Sequence, residues 1–279
     1  MKTEVLLAGL SFGEGPRWRE DKLWFSDFYV HQVRTVDVAG HAETIVEVPG
    51  RPSGLGWRPD GTFLIVSMTD RRLMRFAKGR LQIEAELGGL ATGHCNDMIV
   101  DAAGRAYVGN FGFDRHAGEA PRPAVLIRVD LDGSVHKAAG DLMFPNGTVI
   151  TPDGRTLIVG ETLAKRLTAF DLAPDGTLSN RRVWAETPSC APDGICLDAE
   201  GAVWVTGAFT GKMVRVREGG AVTHEIDFGP RSAYACMLGG ADRRTLFIVT
   251  NSGSGPAIAA KRDGRIEIAR VDVPGAGLP

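Results

Sequence analysis

Net charge is nearly absent from this chain. Its 279 residues carry 32 Lys and Arg against 34 Asp and Glu, a formal −2, so neither nucleic acid nor an anionic membrane is favoured as a partner. Long apolar runs are missing too. None approaches the roughly 18 residues that span a bilayer. Residues 1–10 hold one Lys and one Glu and lack the pattern of a cleavable leader, so secretion is not expected. Cysteine is scarce: Cys95, Cys190, Cys196 and Cys236 show no C-x-x-C spacing. In a chain of this length they read as reduced thiols of a cytoplasmic protein. H-E-x-x-H does not occur, which removes one class of zinc hydrolase.

Glycine is what abounds, at 36 residues, well above the usual share of about 7%. Glycines spread this evenly imply many tight turns and therefore many short strands. A repeat accounts for them. Residues 52–61, 95–104, 145–154 and 192–201 are variants of one unit, each followed by an apolar strand at 63–66, 106–108, 156–159 and 203–205. Weaker copies lie at 13–18 with 23–25, and at 235–238 with 245–249. The turn glycines fall at 61, 104, 154 and 201, with a sixth turn near Arg243, giving intervals of 43, 50, 47 and 42 residues.

A period in the forties, made of strand–turn–strand units, predicts an all-β six-bladed propeller of four antiparallel strands per blade. No break in the repeat divides residues 1–279, so one domain is expected. The apolar strand after each turn is the second of its blade, buried on both faces. Third and fourth strands are expected at 72–76, 125–129, 166–170 and 212–216, and residues 3–7 should close the ring by adding an outer strand to the last blade.

The register identifies the axis. The residue eight before each turn position is Glu14, Ser53, Asn96, Asn146, Asp193 or Ala235, and six equivalent positions on innermost strands converge on one channel. Polar groups there could merely hold water. Two carboxylates in a narrow channel, however, repel each other unless one is protonated or a cation lies between them. Glu14 and Asp193 balance one divalent ion and Asn146 adds a neutral carbonyl oxygen, a set that suits Ca²⁺, Mg²⁺ or Mn²⁺. No His or Cys holds an axis position, so a structural zinc cluster is not expected.

Gly13-Glu14-Gly15-Pro16, Asn96-Asp97 with the 100–104 turn, Pro145-Asn146-Gly147 and Pro192-Asp193-Gly194 together resemble the SMP-30/gluconolactonase/LRE family over the whole chain. The resemblance implies metal-dependent hydrolysis of sugar lactones and related esters. It assigns Glu14, Asn146 and Asp193 as metal ligands and Asn96 as a substrate contact. Ca²⁺ is the first expectation for the ion, with Mg²⁺, Mn²⁺ or Zn²⁺ as alternatives. Asp193 is expected to double as the acceptor of a proton from the attacking water; hydroxide generated on the metal is the alternative.

One departure stands out. Members of the gluconolactonase type often carry Arg two residues before that Asn, and this chain has His94. Two residues along a strand return to the same face, so His94 is expected in the substrate site with Asn96. Phe28, Tyr29, Phe111, Phe113 and Phe209 follow second strands. Those that face the mouth would make it more apolar than a sugar site. Residues 113–124, with Gly118, Pro121 and Pro123, read as a rim loop or lid, or equally as a surface insertion. Ser53 has no His partner in register, so a serine nucleophile is not expected. The competing readings are a propeller scaffold for protein partners with a structural metal, and a metal-dependent propeller of another chemistry.

Overall fold

The computed structural model describes residues 1–115 and 117–277. Six four-stranded antiparallel sheets follow one another around an axis. The innermost strands are Gly13–Arg19, Pro52–Trp57, Cys95–Val100, Pro145–Ile150, Pro192–Leu197 and Ser232–Gly239. Glu4–Leu10 pairs with Gly264–Arg270 as the outermost strand of the sixth blade, so the two ends of the chain close the ring. Helix is confined to a single 3₁₀ turn, Phe28–Val30, and one short turn, Pro256–Ala259. None is long and apolar enough to cross a membrane.

The turn motif has a local cause. In the third blade the Asp101 carboxylate accepts the backbone N–H groups of Ala103 and Arg105, each at 2.9 Å. Asp198 repeats the arrangement in the fifth blade with Glu200 and Ala202. Gly104, at φ +92°, takes the left-handed position that closes such a turn. The second strands, including Phe63–Ser67, Ala106–Asn110 and Val203–Gly207, are buried along their whole length. They meet neighbouring blades on both faces, which is why they read as unbroken apolar runs.

The four segments read as third and fourth strands are all third strands: Arg72–Ala77, Ala124–Val129, Arg166–Leu172 and Lys212–Val216. Fourth strands such as Arg80–Glu86 and Val222–Asp227 lie on the rim and are largely solvated. Their mixed composition leaves little periodic signal.

Candidate functional site

The register of the first five inner strands slips at or beside the axis residue; in the sixth the slip falls on Tyr234, which lines the cavity in place of Ala235. Slips fall between Glu14 and Arg17, Pro52 and Leu55, Cys95 and Met98, Pro145 and Thr148, Pro192 and Ile195, and Ala233 and Ala235. A bulge re-aims one side chain and bends the strand; six of them define the channel. In four blades glycine follows the axis residue, and the adjacent blade leaves room for nothing larger. A Cβ on Gly54 would stand 2.4 Å from the backbone N of Met98, and one on Gly147 2.5 Å from that of Ile195. The third blade has Asp97 in place of that glycine. Its carboxylate reaches the Arg17 guanidinium at 2.7 Å, a buried ion pair between the first and third blades.

Glu14, Asn96, Asn146 and Asp193 line one cavity. They come from the first, third, fourth and fifth blades, and each is buried. Ser53 and Ala235 are not among its lining residues; the Ser53 hydroxyl lies 3.5 Å from Asn96 Oδ1, a weak contact behind it.

Burial raises the Glu14 carboxyl well above its ordinary range, and the charges of Asp193 and Asp97 push it further. Burial likewise raises Asp193; Asn146 and Arg115 draw it back while Asp97 adds to the rise. Arg17, which could neutralise this cluster, is committed to Asp97.

Asn146 is oriented from behind. Its Nδ2 donates to Thr162 Oγ1 at 3.2 Å, and that hydroxyl spends its own proton on the Pro192 carbonyl at 2.6 Å. Thr162 Oγ1 can therefore only accept from Asn146, which fixes the amide with nitrogen toward Thr162. Asn96, which lines the cavity, has a buried Nδ2 with no hydrogen-bond partner among the described residues.

The walls are aromatic. Phe12 packs on Phe28 at 4.9 Å and on Tyr234 at 4.6 Å between ring centroids, and Phe111 packs on Phe144 at 4.5 Å. Phe28, Tyr29, Phe111 and Phe209 line the cavity as the sequence suggested, whereas Phe113 turns away and is buried against Phe144. Phe12 and Phe144 were missed. Both stand two residues before an axis residue, the register that singled out His94. His94 itself is not among the lining residues; it is half-buried, with its ring 6.0 Å from that of Phe111. The bulge between Cys95 and Met98 is not the cause, since the fourth blade slips at the same place and keeps Phe144 in the cavity.

Arg115 also lines the cavity and was not anticipated. It belongs to the 113–124 connection, of which His116 lies outside the described residues. A G-x-S-x-G spacing was passed over as well, Gly9 to Gly13. It is no nucleophile elbow: Ser11 is buried between two strands, and its hydroxyl and backbone N–H are both held by Asp27 Oδ1.

A six-bladed propeller presenting buried oxygen-bearing side chains from four blades at its axis defines a recognisable class. The chain matches the SMP-30/Gluconolactonase/LRE-like region over residues 12–252 and belongs to that family. It is 28% identical to a 6-deoxy-6-sulfogluconolactonase of Pseudomonas putida, over 96% of this chain and 94% of that protein. It is 27% identical to a pentonolactonase of Haloferax volcanii, over 99% and 96% of the two chains. Among solved structures, a calcium-binding regucalcin from Agrobacterium tumefaciens superposes with a TM-score of 0.83 at 23% identity, over 100% of this chain and 96% of that one.

Proposed function

We propose that this protein hydrolyses a lactone at a divalent metal ion held by Glu14, Asn146 and Asp193. The observation that carries the reading is the buried carboxylate pair. Both acids are driven toward protonation by burial, and their mutual repulsion adds to it. Arg17, whose charge draws Glu14 down, is paired with Asp97. A divalent ion removes that penalty at once. The donors fit it: two carboxylates and an amide whose nitrogen is tied back by Thr162, all oxygen, the chemistry of Ca²⁺ first and of Mg²⁺ or Mn²⁺ after it. Bound there, the ion would supply Lewis-acid polarisation of an ester carbonyl.

The remaining steps fall to the chain itself. Asn96 Nδ2 is an unspent donor among the described residues, suited to orient the ring and carbonyl of a bound ester. Asp193 accepts a proton from the attacking water. Water adds to the carbonyl carbon, the ring C–O bond breaks, and the departing oxygen takes up a proton to give the hydroxy acid. The aromatic wall excludes bulk water. His94 enters at one remove, as the packing partner of Phe111. The reaction type is supported by relatives that are named lactonases. A cytoplasmic setting accords with four free, buried cysteines.

The test is a panel of sugar lactones, unsubstituted lactones and aryl esters, assayed after chelation and during titration with Ca²⁺, Mg²⁺, Mn²⁺ and Zn²⁺. Activity should vanish on chelation and return with one of the ions. Failure of every lactone at saturating ion would refute the reading.

A further inference from the structure

Arg115 is the only cation among the described residues lining the cavity. It does not neutralise the carboxylates at the axis by direct contact. Its guanidinium lies over the Phe209 ring, 4.9 Å from the centroid, and its Nη2 is 3.5 Å from Ser254 Oγ, at the outer limit of a hydrogen bond. Arg115 thus leaves the third blade's long connection and rests against residues that follow the second strands of the fifth and sixth blades. Both it and Phe209 are exposed. An arginine carries five donors in a planar fork. Among the described residues that fork is met by a ring face and one distant hydroxyl, so most of it is unspent.

The charges of the site point the same way. Asp97 is cancelled by Arg17. Glu14 and Asp193 are cancelled by one divalent ion. Arg115 remains as the one cation among the described lining residues, exposed at the mouth. A site of net charge +1 prefers a ligand of charge −1.

We propose that Arg115 is a specificity-determining residue, and that the substrate is a cyclic ester with a largely apolar body and one acidic substituent remote from the scissile carbonyl. This rests on reading the cavity as a lactone-hydrolysing site. The acid seats against Arg115 between Phe209 and Ser254, while the carbonyl reaches the axis. Because the acid takes no part in the bond changes, its contact with Arg115 binds ground state and transition state alike and acts through KM rather than kcat.

The experiment compares γ-butyrolactone bearing a ring carboxylate, the same ring bearing a sulfonate, and the methyl amide of the carboxylic acid. Wild type, Arg115→Met and Arg115→Lys are assayed at saturating divalent ion. Wild type should favour the acids over the amide by roughly ten- to a hundredfold in kcat/KM, the range of a charge-assisted hydrogen bond. The difference should lie in KM and shrink as salt rises. Arg115→Met should abolish it, and Arg115→Lys should restore part of it. Binding of tetrahydrofuran carboxylate against its amide, read by calorimetry, gives a second measure that needs no turnover. If lactones are opened without preference for the acids, or if the preference survives in Arg115→Met, the assignment of Arg115 is wrong while the lactonase reading stands. If no lactone is opened but the carboxylate binds in an Arg115-dependent way, the reaction is wrong and the anion site stands.

Discussion

Thr162 Oγ1 accepts from Asn146 Nδ2 at 3.2 Å while donating to the Pro192 carbonyl at 2.6 Å. One hydroxyl thereby links the fourth blade's axis residue to the backbone next to Asp193. Thr162→Val keeps the shape and removes the acceptor, leaving the Asn146 amide free to turn its nitrogen inward. Removing such a supporting partner costs about 10- to 100-fold in metal affinity in other sites, and we expect the same here. Thr162→Ser should restore most of it. Calorimetric titration with Ca²⁺ of the metal-free protein checks this. Equal affinities for wild type and Thr162→Val would mean that Asn146 needs no such support.

The acidic pair carries opposite consequences for folding and for binding. Glu14 and Asp193 are both raised above the ordinary carboxylate range in the metal-free fold. A raised carboxyl means that the folded state binds more protons than the unfolded chain. Stability of the metal-free protein therefore falls as pH rises from the ordinary carboxylate range toward the folded-state values. Asp193→Asn should raise the metal-free melting temperature at neutral pH by roughly 2–4 °C for each kcal/mol relieved, and it should bind Ca²⁺ far more weakly. Glu14→Gln should behave alike. Added Ca²⁺ should stabilise wild type by about 2.7 kcal/mol at a hundred times its Kd, and should flatten its pH dependence. A metal-free Asp193→Asn less stable than wild type at neutral pH would show that the carboxylates are not strained.

The six-fold architecture and the axis register were legible because each blade repeats both its turn and its buried second strand. Glu14, Asn96, Asn146 and Asp193 therefore meet at one cavity. Direction on the inner strands was less legible. Phe12 and Phe144 line the cavity from the register of His94 while His94 does not, so the register found the position without deciding which side chains enter. Arg115 was hidden for another reason. Its connection has no period, and its contact with Phe209 spans 94 positions of sequence, from 115 to 209. The Arg17–Asp97 pair had a weak signal, the substitution of Asp for the glycine found at 15, 54, 147 and 194.

Those glycines supply a stability test independent of metal. Gly54→Ala would drive a Cβ to 2.4 Å from the Met98 backbone N, with Asp97 backbone atoms at 2.8 and 2.9 Å. Backbone in the adjacent blade cannot swing aside as a flexible side chain does. Overpacking of this kind costs about 1–3 kcal/mol, so the melting temperature should fall by several degrees. Gly61→Ala is the control: its left-handed φ of +85° strains any side chain, but nothing stands within 4 Å. A smaller loss in Gly54→Ala than in Gly61→Ala would place the constraint in conformation rather than in close approach.

The aromatic wall sets the last expectation. A sugar lactone brings several hydroxyls, and each one buried without a partner costs about 1–3 kcal/mol. Against Phe12, Phe28, Phe111 and Phe144 there are few groups to receive them. Among the described residues, Asn96 Nδ2 is unpartnered and the Arg115 fork at the mouth has donors to spare. Gluconolactone should therefore be a poorer substrate than δ-valerolactone, which has the same ring size without the hydroxyls, by at least about tenfold in kcat/KM. Phe144→Asn should narrow that gap, since it places an amide where the ring now packs on Phe111 at 4.5 Å. Thermal melts of the variant separate lost packing from altered preference, because a loss of fold lowers both rates together while a change in the wall alters their ratio. A wild type that prefers gluconolactone would mean that the sugar lies along the polar floor and does not touch the aromatic side.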